Sequence, residues 1–261
     1  VAGPIEKLGS AVEGFKLGQR VLAQMPMGGL AEYAVAEAEA VRAIPDSMTD
    51  DEAASFALVY QTSYFGLAYR AALQKGETVL VHSAAGGVGL SAVQIARALG
   101  AGKIIGTAGS DDKLQVIRDS GADIALNYQT EDFVGVVKRE TGGRGADVIY
   151  DPVGGEVGER STKCIAFEGR LLVVGFTSGK FPVFPSNHIL IKNYSVVGLH
   201  WGAYRQHNPG KIAQAWKDLF GLFEAGKLKP VIGARYSMTA AAEAMKHLAS
   251  RNAVGKVVLH W

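Results

Sequence analysis

From residue 77 onward the chain alternates short apolar, β-branched runs with longer stretches in which apolar residues recur at helical spacing. That alternation predicts βαβ units around a parallel sheet, because each crossover helix buries its apolar face on the strands it joins. The runs predict strands over residues 77–82, 103–108, 123–127, 146–151, 169–175 and 194–200, with helices over 87–99, 112–120, 131–141 and 156–166. Asp111 and Thr130 stand where helix starts need a side-chain acceptor, and Gly100, Gly121 and Gly142 stand where helices end. The connection 176–193 carries no clear helical pattern. Residues 1–44 read differently: Gly-rich, with short alternating segments at 20–23 and 30–35 that predict a small antiparallel sheet. The tail 235–261 reads as strand, helix, strand, with 254–259 its clearest strand. The expected fold class is therefore α/β, a doubly wound parallel Rossmann sheet over 56–232 bracketed by a β-rich domain split between 1–55 and 233–261.

Composition narrows the partners. A chain of 261 residues, 48% hydrophobic and 20% charged, has ample material for a core. Its formal charge of +2 is dispersed, which gives no reason to expect nucleic acid or an anionic membrane as partner. No apolar run approaches the roughly 20 residues of a membrane span, and no signal segment opens the chain, so a cytoplasmic location is expected. With Cys164 as the single cysteine, an intrachain disulfide and a cysteine-only zinc site are both excluded.

The thirty-three glycines have their sharpest use in the segment Ala84-Ala85-Gly86-Gly87-Val88-Gly89, which leaves a buried strand and opens a helix. Ala84, Gly86 and Gly89 reproduce the spacing of the dinucleotide fingerprint, with alanine at its first glycine. A side chain at Gly86 would keep the backbone from a pyrophosphate, and one at Gly89 would hold the helix off the strand. The helix N-terminus offers free N–H groups and a partial positive charge, so the loop suits an anion. The next strand bears on which cofactor is held. NAD-selective sites place Asp or Glu at its end to accept from the ribose 2′-OH, whereas a 2′-phosphate needs space, donors and positive charge. Here the strand runs into Gly109-Ser110-Asp111-Asp112-Lys113. Ser110 and Lys113 favour NADP(H); the competing reading makes Asp111 the ribose ligand and Lys113 a solvated helix residue.

Taken with Gly29-Leu30-Ala31-Glu32-Tyr33, Asn127-Tyr128, Tyr150-Asp151-Pro152-Val153-Gly154-Gly155 and Gly169-Arg170-Leu171 through Gly175-Phe176, the loop resembles the zinc-independent quinone oxidoreductases related to zeta-crystallin, within the medium-chain dehydrogenase/reductase superfamily. The resemblance covers essentially the whole chain. It implies a chaperonin-like β-rich catalytic domain built from both chain ends, NADPH-dependent reduction of quinones or α,β-unsaturated carbonyls, and a homodimer formed through the sixth strand. It implies NADPH contacts at Thr62, Ala85, Gly86, Gly87, Val88, Gly89, Ser110, Lys113, Tyr128, Gly175, Phe176 and Arg251. Gly18-Gln19-Arg20-Val21 matches the family's Gly-Asp-Arg-Val turn, so Val1 falls inside the catalytic domain and the family's opening segment, with part of its substrate pocket, is expected to be lacking. A cofactor-binding protein without turnover fits the same residues.

Zinc-dependent relatives in the superfamily carry a Cys or acid ligand before the phosphate loop and a four-cysteine lobe after the Gly-Asp-Arg-Val turn. Phe56 to Thr62 and Val21 to Gly28 hold neither, and the six histidines show no close-spaced pair, so no metal is expected. Cys164 reads as a small core residue inside a helix. The sequence singles out no catalytic acid or base. Tyr60, Tyr64, His200, Trp201 and Tyr204 read as a substrate-facing aromatic wall or as ordinary packing.

Overall fold

A computed structural model describes all 261 residues. The chain opens with β1 (Ala2–Pro4), β2 (Arg20–Ala23), β3 (Val41–Ala43) and α1 (Asp50–Tyr64). There follow β4 (Thr78–Val81), α2 (Gly87–Ala98), β5 (Lys103–Ala108), α3 (Leu114–Asp119), β6 (Ile124–Asn127), α4 (Phe133–Glu140), β7 (Ala146–Asp151), α5 (Gly155–Ser161), β8 (Ile165–Val173), α6 (Ser186–Lys192) and β9 (Ser195–Gly198). The chain closes with α7 (Tyr204–His207), α8 (Pro209–Glu224), β10 (Ile232–Ser237), α9 (Ala241–Ala249) and β11 (Lys256–His260). It divides into two compact units, Val1–Val59 with Lys229–Trp261, and Tyr60–Leu228.

The larger unit carries six parallel strands in the order β6-β5-β4-β7-β8-β9. All four residues of β4 are buried, as a parallel sheet covered on both faces requires. Leu80, Ile105, Leu126, Val137, Ile149 and Leu171 meet in one core cluster with Phe133. Strand β4 has β5 on one side and β7 on the other, so successive connections part at its carboxyl end. In open α/β sheets that is where ligands bind.

The smaller unit holds the antiparallel sheet β1-β2-β3 and the parallel pair β10-β11, with α9 as crossover. Asp51 on α1 fastens that pair, accepting from Arg235 Nε at 2.5 Å with His260 Nε2 at 3.3 Å. Residues 30–35, expected as a strand, form bends over 30–33 and no regular structure at 34–35, and the partners of β2 are β1 and β3.

Several boundaries depart from the sequence pattern for local reasons. Helix α4 starts at Phe133 because Asp132, and not Thr130, receives the free amides of Val134 and Gly135, at 3.3 and 3.0 Å. Asp111 caps nothing; residues Asp111–Lys113 form a 3₁₀ turn ahead of α3. The helix expected to reach residue 166 stops at Ser161, since Ile165 is taken into the sheet opposite Ala146 before a bulge shifts the register. Cys164 therefore sits in the turn before β8, fully buried, and not in a helix; burial pushes its thiol up to about 12, which leaves it inert. Helix α6 lies in the connection that showed no helical pattern. Its Leu190 and Ile191 are 76% and 73% exposed and none of its residues is buried, so no apolar stripe marks it. Pro185 at its start and the left-handed Asn193 at its end are the signals it does carry.

Candidate functional site

The loop between β4 and α2 is shaped by backbone contacts. Ser83 takes a left-handed φ of 50°; the Ala84 amide donates to the Thr107 carbonyl at 2.8 Å and the Gly86 amide to the Ser83 carbonyl at 3.1 Å. A Cβ on Gly89 would stand 2.2 Å from Ser83 O and 2.6 Å from Ala84 Cα, so helix and loop can approach this closely only with glycine there. Gly86 is different. Its φ of −78° suits any residue, and a Cβ would meet nothing nearer than Ser83 O at 3.4 Å. Packing gives no reason for glycine at position 86; room for a ligand against the backbone does. No side chain caps α2, leaving its first amides, at Gly87, Val88 and Gly89, for an outside acceptor.

The shell behind the loop is polar and hydrogen-bonded. His82, fully buried, meets Thr107 Oγ1 through Nδ1 at 3.2 Å and Ser161 Oγ through Nε2 at 2.9 Å. Burial lowers its pKa from 6.5 to about 4, outweighing the attraction of Asp151, so the ring is neutral at physiological pH. Ser63, next to Thr62 on α1, approaches Ser91 Oγ at 2.8 Å and Tyr150 Oη at 3.0 Å and donates to the Val88 carbonyl at 3.0 Å. Half-buried Thr62 is thus held one residue from the anchor that ties α1 to the first turn of α2.

At the end of β5, Ser110 and Lys113 flank the 3₁₀ turn, and Tyr128 at the end of β6 leans on the same stretch. A Cβ on Gly109 would lie 2.7 Å from Tyr128 Oη, so Gly109 leaves the room the phenol ring occupies. Asp111 carries a bond the sequence does not reveal: its Oδ1 accepts from Asn127 Nδ2 at 2.9 Å.

Farther along the sheet, an open cleft of about 390 Å³ is lined by Val173, Val174, Phe176, Gly198, Leu199 and His200, at the carboxyl ends of β8 and β9. Asp151 supports it from below: Oδ1 accepts the amides of Val153 and Gly154 at 2.8 and 3.0 Å, closing a turn in which Gly154 and Gly155 take φ of 70° and 52°. A Cβ on Gly154 would reach Phe176 Cδ1 at 2.8 Å, so the turn admits the Phe176 loop directly above it. The Phe176 ring meets Phe181 edge to face at 4.7 Å.

Of the residues that the resemblance implied, the unit Tyr60–Leu228 brings Ala85, Gly86, Gly87, Val88 and Gly89 into one loop, gathers Ser110, Lys113 and Tyr128 at the ends of β5 and β6, and sets Gly175 and Phe176 after β8. Arg251 belongs to the other unit, exposed after α9 with φ 61°. Within the aromatic set, only His200 lines the cleft. Tyr60 donates to Gln94 Oε1 at 2.7 Å, Tyr64 to Asp218 Oδ2 at 2.8 Å and Trp201 to Gln61 Oε1 at 3.3 Å, all three rings buried, and Tyr204 packs on Phe65. The cleft residues Val173, Val174, Gly198 and Leu199 went unnoticed in the sequence; their signal is position alone, at the carboxyl ends of adjacent parallel strands.

Residues 87–220 match the family described as zinc-binding dehydrogenase. The chain is 39% identical over 262 residues to the quinone oxidoreductase-like protein 2 homolog of Nematostella vectensis, covering 100% of this chain and 72% of that protein. It superposes on Escherichia coli quinone oxidoreductase complexed with NADPH with a TM-score of 0.90 and 33% identity, over 99% of this chain and 80% of that one. CurK enoyl reductase follows at a TM-score of 0.88 and 31% identity, over 99% and 77% of the two chains.

Proposed function

The chain belongs to the quinone oxidoreductases of the medium-chain dehydrogenase/reductase superfamily, and from that premise we propose that it reduces quinones or α,β-unsaturated carbonyls with NADPH, without zinc. The observation that carries the reading is Gly86, whose missing side chain answers to no packing demand in a loop that ends on an uncapped helix. The similarity to Escherichia coli quinone oxidoreductase complexed with NADPH and to CurK enoyl reductase supports the cofactor and the substrate class.

The chain's own residues have the following parts in this proposal. Amides of Gly87, Val88 and Gly89 hold the pyrophosphate, aided by the dipole of α2. Ser110 and Lys113 hold the 2′-phosphate, with Tyr128 beside the adenosine, and Thr62 completes the contacts made by this unit. Gly175 and Phe176, after β8, would stand beside the nicotinamide end, with Phe176 in the lining of the cleft where the ring would be positioned against the acceptor. When bound, NADPH supplies the hydride. Electron-poor acceptor carbons need little Lewis-acid help, and no group of three or more His, Cys, Asp and Glu side chains converges to hold a metal. The split unit made by the chain ends supplies the catalytic domain, and the protein acts in the cytoplasm as a homodimer. No helix is long and apolar enough to cross a membrane.

Steady-state NADPH oxidation over a panel of quinones and enones, with and without a chelator, tests the reading. Turnover above background and indifferent to the chelator is the expected outcome. Tight NADPH binding without turnover would make the protein a cofactor binder, and loss of activity on chelation would overturn the zinc-free mechanism.

A further inference from the structure

One buried amide ties the ends of β5 and β6 together. Asn127 is 5% exposed; its Nδ2 donates to Asp111 Oδ1 at 2.9 Å, and its Oδ1 accepts from the Gln129 amide at 3.0 Å. The Asn127 carbonyl closes the following turn by accepting from the amides of Thr130 and Glu131 at 3.1 and 2.9 Å, and the Tyr128 amide donates to the Ala108 carbonyl at 3.0 Å. The side-chain amide is therefore pinned at both ends. Turning it would leave a buried donor and acceptor unpaired, which disfavours any other orientation.

What it pins is the acid at the centre of cofactor choice. A carboxylate just past this strand is what an NAD site uses to accept from the ribose 2′-OH, and beside a 2′-phosphate the same charge repels. Asp111 stands at that place in the chain between Ser110 and Lys113. It is exposed, so without a tether its carboxylate would sample both roles.

We propose that Asn127 is a specificity-determining positioning residue: by holding Asp111 through Oδ1 it withholds the acid from the ribose and leaves the turn to Ser110 and Lys113 for a 2′-phosphate. This rests on the reading of residues 109–113 as the adenosine-ribose site. It assigns the cofactor preference to a residue that does not touch the cofactor. A purely structural Asn127 would, on loss, weaken NADPH and NADH alike and leave their ratio unchanged.

The test is the ratio of NADPH to NADH dissociation constants in the full chain. Asn127→Leu keeps the branched shape and removes both bonds, with Asn127→Ser in its place if the leucine variant does not fold. The ratio is expected to move toward NADH by about tenfold, and adding Asp111→Asn to the same variant, which leaves no acid to release, is expected to restore most of it. A single variant that keeps the wild-type ratio within about twofold, or a double variant that restores nothing, overturns the proposal while wild-type binding still supports the dinucleotide site. A wild-type protein that binds neither dinucleotide overturns the site itself and the proposal with it.

Discussion

Gly86 and Gly89 occupy one loop and fail in different ways when changed. Gly89→Ala drives a Cβ to 2.2 Å from Ser83 O, an overpacking expected to cost about 1–3 kcal/mol of stability or more, since backbone on both sides must shift. Gly86→Ala fits at φ −78° with no close contact and is expected to leave stability unchanged or raise it by up to about 1 kcal/mol through the unfolded state. It is nevertheless expected to weaken NADPH by about tenfold or more. Thermal unfolding beside an NADPH titration separates the two; a Gly86→Ala protein that binds as wild type would remove the pyrophosphate reading. His82 gives a pH signature. Its folded pKa near 4 lies below the ordinary 6.5, so the unfolded chain takes up the proton first as pH falls. The stability of the neutral buried ring is thus fully present above pH 6.5 and lost as pH drops toward 4, about 3 kcal/mol in all. Urea unfolding at pH 7.5 and 4.5 should show a smaller acid loss in His82→Gln than in wild type, and an equal loss in both would contradict this account.

At the scale of elements, legibility followed burial. Strands β4, β5 and β7 stood out in the sequence because all or nearly all of their residues are buried and each carries a central apolar run, Val79 to Val81, Ile104 to Ile105 and Val148 to Ile149. The shorter pieces did not: α6 buries no residue, and the start of β8 is masked by a bulge that interrupts its pattern. Local chemistry decided the helix starts, where Asp132 prevailed over Thr130 because its carboxylate reaches two free amides. In the site, glycine spacing marked the loop, whereas the Asn127 to Asp111 bond joins residues 16 positions apart and has no periodic signature. Strand β9 is the element with the plainest consequence. It ends the sheet, carries neither Lys nor Pro, and exposes Ser195, Val196 and Gly198, which suits pairing with a second copy across a two-fold axis. Sedimentation equilibrium at micromolar concentration is expected to show a dimer that Val197→Lys or Val197→Pro weakens. A monomeric wild type, or a dimer indifferent to both changes, would remove edge pairing.

On the scale of the whole molecule, composition shifts at both ends suggest a chain that leaves a β-rich segment, builds a parallel sheet and returns, and the structure divides into Val1–Val59 with Lys229–Trp261, and Tyr60–Leu228. In the larger unit, the uncapped start of α2, the turn after β5 and the cleft at β8 and β9 all lie at carboxyl ends of the strands. Three separate features at one edge of one sheet fit an extended ligand with an adenosine end, a central diphosphate and a reactive ring. The most direct measurement is a fluorescence titration of the protein with NADPH and, separately, with NADH. Saturable binding with NADPH tighter by about tenfold or more is the predicted result; equal affinities, a preference for NADH, or no binding of either would contradict it.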